Sequence, residues 1–146
     1  MADFRRVTEA FWASPQINLD DVAEASARGF GLIINNRPEG EAADQIPGAE
    51  IARAAHEAGL DYCAIPVSPG GFSEQQVEAL IDALSRSEGP VLAYCRSGTR
   101  STLLWSLAQA RLGRDADAIA SEARGAGYDV TSIRPLLDTL AARNRR

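Results

Sequence analysis

Apolar runs alternate with amphipathic segments along this chain. Continuous apolar runs predict buried strands at residues 31–35, 62–67 and 90–94, and a shorter apolar stretch predicts a first strand within residues 11–17. Strands that alternate with helices are typical of an α/β fold with a mainly parallel central sheet flanked by helices. This architecture is therefore the one we expect.

The segments between these strands predict helices. Asn18 has a side chain suited to cap a helix that ends near Gly29, and Ser73 has one suited to cap a helix over residues 74–85. Further helices are predicted over residues 50–58, 101–112, 117–124 and 132–143. Three helices in succession are thus expected after the last strand.

Composition narrows the class of protein. The chain has 146 residues, of which 45% are hydrophobic and 24% charged, so we expect a single domain over residues 1–146 with its own core. No apolar run approaches the roughly 20 residues that cross a bilayer, and no apolar stretch follows the basic residues near the start. We therefore expect no membrane association, no signal peptide and a cytoplasmic location.

The net charge and the small number of histidines and cysteines argue against binding to nucleic acid and to metal ions. A formal net charge of -5 disfavours binding to nucleic acid, since phosphate backbones select clustered lysine and arginine. The short basic tail at residues 143–146 is expected to be a solvated helix end, where positive charge complements the helix dipole. One histidine and two widely spaced cysteines predict neither a disulfide nor a metal site, and no cofactor is implied.

The candidate chemistry lies in one loop, Cys95-Arg96-Ser97-Gly98-Thr99-Arg100. Cys95 stands where a predicted strand ends and a helix begins, so the free N–H groups of the helix start point toward it. Gly98 lets the loop curl until its N–H groups converge on an anion, and the two arginines add positive charge. These groups favour the thiolate of Cys95, which is the nucleophilic form.

Roles follow from this arrangement. Cys95 is predicted to be the nucleophile, and Arg100 the catalytic residue that binds the anion and offsets its charge. Arg37 follows a strand end on the side where ligands bind in such sheets, and it is expected either to add charge to the pocket or to pair with Glu39 or Glu41. The residues predicted to bind substrate are Arg96, Ser97, Gly98, Thr99, Ser101 and Arg37.

Four other residues are interpreted as structural. Cys63 lies in mid-strand among apolar neighbours, which favours a core position over a resolving thiol. His56 falls on a predicted helix and is expected to be exposed. Trp12 and Trp105 are expected to pack in the core or at an interface rather than to stack on a substrate.

Spacing within the loop separates two chemistries. Four residues lie between Cys95 and Arg100, whereas cysteine phosphatases place a longer run there and so form a wider cradle around a phosphoryl group. The shorter spacing resembles the active loop of rhodaneses, which hold a sulfane sulfur on cysteine. A rhodanese domain would continue with helix, strand and helix, and the three successive helices predicted here depart from that order.

Four motifs resemble one bacterial family: Ser14-Pro15-Gln16-Ile17, Ile34-Asn35-Asn36-Arg37-Pro38, Ile65-Pro66-Val67 and the loop from Cys95 to Ser101. This family is described both as the phosphatase-like domain of β-lactamase-hydrolase-like proteins and as a sulfurtransferase family, and the resemblance spans residues 11–140. It implies a protein-tyrosine-phosphatase-like (dual-specificity-phosphatase-like) fold with a rhodanese-like loop. Some relatives carry a fused metallo-β-lactamase-fold persulfide dioxygenase, so a separate persulfide dioxygenase or other sulfide-oxidising enzyme is an implied partner.

The resemblance also exposes a missing group. Similar dual-specificity phosphatases place an aspartate general acid after a strand ending Ile-Pro-Val, whereas residues 65–71 of this chain contain no carboxylate. Such an acid typically contributes about 10²–10⁴-fold to phosphoester cleavage, while a thiol or sulfite leaves as a stable anion without it. Loop length and the missing acid therefore favour sulfur transfer.

We predict a cysteine-dependent sulfurtransferase that moves a sulfane sulfur from thiosulfate or a persulfide to a thiol or cyanide through a Cys95 persulfide. Two alternatives stay open. One is a cysteine-based phosphatase that acts on a phosphoester through a phosphorylated Cys95. The other is a non-catalytic module that binds an anion or a partner through the arginine loop.

Overall fold

The computed structural model describes residues 2–143 of the chain. The strands are β1 (Arg5–Arg6), β2 (Phe11–Ser14), β3 (Leu32–Asn35), β4 (Asp61–Ala64) and β5 (Val91–Tyr94). The helices are α1 (Leu19–Ala27), α2 (Gly48–Glu57), α3 (Glu74–Arg86), α4 (Thr99–Arg111), α5 (Ala116–Gly125) and α6 (Arg134–Arg143), and a 3₁₀ turn at Thr131–Ile133 precedes α6.

These strands form one sheet in the order β1-β2-β5-β3-β4. Strands β2, β5, β3 and β4 run parallel to one another, and β1 pairs antiparallel with β2. Strand β5 lies in the middle, where Ala93 stands between Ala13 of β2 and Ile34 of β3.

Alternate residues of the central strands face two separate cores. On one face, Ile33 and Leu92 pack with residues of α1 and α2. On the other face, Ile34 and Ala93 pack with residues of α3 to α6. Strands β3 and β5 are buried along their whole length, which is why their sequences are continuous apolar runs. The predicted α/β fold, with a mainly parallel sheet flanked by helices, is confirmed.

The strand predicted at residues 62–67 ends earlier than expected, at Ala64. Pro66 interrupts the ladder because proline has no N–H to donate. On either side of it, Ile65 and Val67 still donate their N–H groups to carbonyls of residues 35 and 36, both at 2.9 Å. The chain therefore stays beside the end of β3 although the regular strand has stopped.

Other differences lie near the chain ends and at α4. Strand β1 was not predicted, because its two residues are arginines and carry no apolar pattern. The three successive helices predicted after the last strand are present as α4, α5 and α6, and α4 starts at Thr99 rather than at Ser101. Of the predicted basic tail, Arg143 ends α6 and residues 144–146 lie outside the described residues. Within residues 2–143 no helix is long and apolar enough to cross a membrane.

The four parallel strands all end at the same edge of the sheet. The segments that follow them therefore meet there, as is general for ligand sites in parallel sheets. Gln16 follows β2, Arg37 follows β3, Val67 follows β4 and Cys95 follows β5. The sheet thus brings together residues that are far apart in the sequence.

Candidate active site

Cys95 lies at the base of the loop that joins β5 to α4. Its side chain is fully buried, and its N–H group donates to the carbonyl of Ser14 on the neighbouring strand at 3.4 Å. The N–H group of Gly98 donates to the sulfur of Cys95, with 3.0 Å between nitrogen and sulfur. The loop thus directs a backbone N–H donor at the sulfur.

Gly98 is the point where the loop turns into helix α4. Its φ angle of 93° is left-handed, a conformation that glycine adopts without steric cost. The hydroxyl of Tyr128 occupies the space into which a Cβ atom would project, and it donates to the carbonyl of Ser97 at 3.1 Å. Tyr128 therefore supports the loop from outside. The sequence offered no signal for this role, since the tyrosine is 31 positions away from Ser97.

Arg100, in the first turn of α4, is anchored by three hydrogen bonds. Its Nη1 atom donates to the carbonyl of Val67 and to Oε2 of Glu41, both at 2.7 Å, and its Nη2 atom donates to Oε1 of Glu41 at 2.8 Å. The pKa of Arg100 is raised, first by its hydrogen bond to Glu41 and further by its interactions with Cys95. This arginine is thus held by the loop after β3 and by the segment after β4.

Arg37 contacts the same carboxylate from the loop after β3. Its Nε atom donates to Oε1 of Glu41 and its Nη1 atom donates to Oε1 of Gln16, both at 3.0 Å. Only 6% of its side chain is exposed. Of the two pairings expected for Arg37, the structure contains the one with Glu41; Glu39 instead accepts the N–H of Gly48 at 2.9 Å.

Glu41 is the carboxylate that contacts both Arg37 and Arg100. The hydrogen bond from Arg100 and the weaker one from Arg37 lower the pKa of Glu41 from 4.5 to about 2. A carboxyl group with this pKa is ionised at neutral pH, so it is not suited to act as a general acid there. In the sequence, Glu41 stands out only as a partner for Arg37, because its contact with Arg100 spans 59 positions.

The remaining residues predicted to bind substrate occupy two kinds of position. Arg96, Ser97 and Thr99 are exposed on the loop, and Ser97 Oγ donates to Oγ1 of Thr99 at 3.0 Å. Ser101 is buried within α4, and its Oγ atom has no hydrogen-bond partner among the described residues. All of them lie within the loop or the first turn after it, and their part in binding stays a prediction.

The residues interpreted as structural lie in packing or surface positions. Cys63 is half-buried on β4 against the core, and burial raises the pKa of its thiol. Trp105 stacks on Phe11 with 5.5 Å between ring centroids, and Trp12 packs edge-on against another ring. His56 lines a groove beside β4 that includes no residue of the reactive loop. Within residues 2–143, no group of three or more histidine, cysteine, aspartate or glutamate side chains is arranged to hold a metal ion.

In this sheet a cysteine follows the central strand, and a glycine-containing loop leads from it into a helix. This arrangement is typical of one class of protein. It is the class of phosphatase-like folds of the protein-tyrosine-phosphatase and dual-specificity-phosphatase type. Within this class, the chain belongs to the family described as beta-lactamase hydrolase-like protein, phosphatase-like domain, which matches residues 3–112. The family expected from the sequence motifs is therefore confirmed.

Relatives and solved structures agree with this assignment. A beta-lactamase hydrolase-like protein of Agrobacterium fabrum is 38% identical over 109 residues, which are 75% of this chain and 25% of that protein. The crystal structure of a putative phosphatase from Neisseria meningitidis is 32% identical, has a TM-score of 0.85, and covers 96% of this chain and 99% of its own. TpbA of P. aeruginosa, crystallised in complex with pTyr, shares the fold alone: 16% identity, a TM-score of 0.67, and coverage of 99% and 91%.

The chain spans 25% to 29% of the length of the curated relatives it matches. What those longer proteins do as a whole therefore does not transfer directly to it. The comparisons support a phosphatase-like, cysteine-based domain, and they do not show the sulfur transfer expected from loop length.

Proposed function

We propose that this chain is a cysteine-dependent phosphatase that hydrolyses an anionic phosphoester through a phosphocysteine at Cys95. The observation that carries the proposal is the hydrogen bond from the Gly98 N–H to the Cys95 sulfur at the start of α4. A sulfur that is stabilised as an anion is a strong nucleophile. The phosphatase-like family, and the pTyr bound to TpbA on the same fold, support a phosphoester as the group that this sulfur attacks.

The proposed chemistry consists of two displacements at phosphorus. The Cys95 thiolate attacks phosphorus and forms an S–P bond, while the P–O bond to the leaving group breaks and its electron pair stays on that oxygen. Water then attacks the phosphocysteine, the S–P bond breaks, and phosphate and the thiolate are released with a proton passing to solvent. Arg100 and the N–H groups of the loop offset the charge on the phosphoryl oxygens in both steps.

Two places where a proton donor would be expected, the segment after β4 and Glu41, supply none to the leaving group. Residues 65–71 contain no carboxylate, and both oxygens of Glu41 accept hydrogen bonds from guanidinium groups. Without a proton from either place, the leaving oxygen departs as its own anion. A phenol, with a pKa of about 10, leaves far more readily in this way than an alcohol, whose pKa is close to the roughly 15.7 of water. We therefore propose aryl phosphates as the substrate class.

The test is phosphate release from a series of aryl phosphates and from phosphoserine. We expect the wild-type chain to hydrolyse the aryl esters, faster as the leaving phenol becomes more acidic, and to leave phosphoserine almost untouched. Cys95→Ser should lose about 10⁴-fold or more in kcat. Cys63→Ser, the matched control for the other cysteine, should behave like the wild type. Turnover by Cys95→Ser at the wild-type rate would refute the proposed nucleophile.

Sulfur transfer is the second candidate. The four-residue spacing between Cys95 and Arg100 and the ionised Glu41 both favour it. The Cys95 thiolate would attack the outer sulfur of thiosulfate or of a persulfide, and the S–S bond would break so that sulfite or a thiolate leaves with the electron pair. The sulfur would then pass from Cys95 to a thiol or to cyanide. In that case a separate persulfide dioxygenase or other sulfide-oxidising enzyme remains the proposed partner.

Intact mass of the protein after incubation with thiosulfate separates the two candidates. A gain of one sulfur that requires Cys95 and is removed by cyanide would establish sulfur transfer. No gain, together with hydrolysis of aryl phosphates, would support the phosphatase. Binding of anions without either reaction would support the non-catalytic alternative. For both reactions we propose a cytoplasmic location, where thiols such as Cys95 are kept reduced.

A further inference from the structure

The peptide unit between Ser97 and Gly98 is hydrogen-bonded on both of its sides. Its N–H group, on Gly98, donates to the Cys95 sulfur at 3.0 Å, and its carbonyl, on Ser97, accepts the hydroxyl of Tyr128 at 3.1 Å. We infer that Tyr128 is a positioning residue, which holds this peptide unit in the orientation that directs the Gly98 N–H at the sulfur. The inference rests on the proposed function only in that an anion binds over this loop.

The two hydrogen bonds are coupled through the planar geometry of the peptide unit. In a trans peptide the C=O and N–H bonds lie in one plane and point in opposite directions. A donor that fixes the carbonyl of Ser97 therefore fixes the direction of the Gly98 N–H as well. When the unit turns, the N–H leaves the sulfur and the carbonyl leaves Tyr128 in the same movement.

Gly98 makes an external contact of this kind necessary. Rotation of the peptide unit changes the φ angle of Gly98, which is 93°, and turning the unit over makes this angle negative. Glycine adopts both signs of φ about equally well, so the backbone of Gly98 does not by itself select the observed orientation. The hydroxyl of Tyr128, which lies against Gly98 and binds the carbonyl before it, supplies the selection.

Tyr128 is itself held at its backbone and at its ring. Its N–H donates to the carbonyl of Ala123 at 3.0 Å, and the N–H of Gly127 donates to the carbonyl of Arg124 at 2.9 Å. These two bonds form a Schellman motif at the end of α5. The guanidinium of Arg5 lies 5.2 Å from the centroid of the ring, a cation–π contact. A side chain fixed in this way can orient the peptide that it binds.

The hydroxyl of Tyr128 is suited to donate at neutral pH. Burial raises the pKa of Tyr128 above its ordinary value of 10.0, so the phenol keeps its hydrogen. A backbone carbonyl can only accept a hydrogen bond. The direction of the bond is therefore fixed, with the hydroxyl as donor and the Ser97 oxygen as acceptor, and removal of the hydroxyl removes the donor.

A rival explanation is that Tyr128 only fills space, since it is buried in the core on the α3 to α6 face of the sheet. The two explanations differ for Tyr128→Phe, which keeps the ring and its contact with Arg5 and removes the hydroxyl alone. If Tyr128 only packs, the loop keeps its geometry. If Tyr128 positions the peptide, the Gly98 N–H loses its direction although the core remains filled.

The experiment measures amide hydrogen exchange at Gly98 in the wild type and in Tyr128→Phe. An N–H that has turned away from the buried sulfur has lost its acceptor, so we expect it to exchange at least about 100-fold faster in the variant. Loss of one hydrogen bond from the fold as a whole accelerates a core amide, such as that of Leu92 in β5, by about 10-fold at most. An acceleration at Gly98 no greater than that at Leu92 would overturn the inference.

The second readout is the dissociation constant of inorganic phosphate, measured by calorimetry. We expect Tyr128→Phe to bind phosphate about 10-fold more weakly, because one donor of the loop has turned away. Wild-type affinity in this variant would also overturn the inference. A wild-type chain that binds no phosphate would instead refute the proposed function, and exchange at Gly98 would still decide whether Tyr128 positions the peptide.

The matched control is Ser26→Ala. The Ser26 hydroxyl donates to the carbonyl of Ala58 at 2.9 Å, across 32 positions of the chain, between α1 and the end of α2. Its loss removes a comparable hydroxyl-to-carbonyl bond without touching the reactive loop. Exchange at Gly98 should therefore be accelerated no more than exchange at Leu92, and phosphate affinity should stay at the wild-type value.

Discussion

Gly98 meets three requirements at one position. Its N–H group points at the Cys95 sulfur, its backbone is left-handed, and its missing side chain makes room for the hydroxyl of Tyr128. An anion nest needs such a residue, because the direction of consecutive N–H groups depends on the backbone angles. The turn expected at Gly98 is present, its part in binding an anion stays a prediction, and its contact with Tyr128 was not visible in the sequence.

Gly98→Ala should damage both stability and catalysis. A left-handed residue that is not glycine costs about 1–3 kcal/mol, and the added Cβ would also displace the Tyr128 hydroxyl. We expect a lower midpoint of urea unfolding and a loss of about 10²-fold in kcat/KM as the N–H moves away from the sulfur.

Gly125→Ala is the control for this substitution. Gly125 ends α5, has no left-handed φ, and has open space where a Cβ would project, so its replacement should be neutral or slightly stabilising. Wild-type kcat/KM in Gly98→Ala would show that the loop does not need this backbone geometry.

Elements that depend on local pattern were predicted well. Strands β3 and β5 are continuous apolar runs, and the capping boxes at Asn18 and Ser73 mark the starts of α1 and α3, as their side chains predicted. Strand β1 and the early end of β4 were not predicted. The first has no apolar pattern, and the second depends on how Pro66 meets a neighbouring strand.

The residues of the candidate site also fall into those that a local sequence pattern predicts and those that it does not. The residues of the loop from Cys95 to Ser101 are adjacent in the sequence, so the sequence motif alone identified them as candidates. Tyr128, Gln16 and the contact of Glu41 with Arg100 depend on the order of strands in the sheet, which places distant loops at one edge. Local pattern carries no information about that proximity. The choice between phosphoryl and sulfur transfer also remained beyond the motif, because both chemistries use an anion nest beside a thiolate.

At the scale of the whole molecule, the ion pairs of Glu41 with Arg37 and Arg100 make the stability of the fold depend on pH. The pKa of Glu41 is about 2 in the folded chain, against an ordinary value of 4.5, mainly because of the hydrogen bond from Arg100. A carboxyl group with a lowered pKa stabilises the fold above its unfolded pKa, and this contribution is lost as the pH falls toward the folded pKa. At 1.36 kcal/mol per unit, the contribution is about 3 kcal/mol at most.

We therefore expect the unfolding free energy of the wild type to fall more steeply than that of Glu41→Gln between pH 4.5 and pH 2. Urea unfolding at a series of pH values measures both curves, and the other carboxyl groups cancel in the difference between them. Above pH 5 the difference should be constant. Parallel curves down to pH 2 would mean that Glu41 is not ionised preferentially in the folded chain.

Strand β5 joins two halves of the sheet, with β2 on one side and β3 on the other. It is also the last of the strands along the chain, and Cys95 follows it directly. A growing polypeptide would therefore carry an open gap in its sheet until this strand emerges and inserts between partners made much earlier. Insertion closes the gap and brings Cys95 to the edge where the segments after β2, β3 and β4 already meet, so the capacity to react arrives only once the sheet is complete.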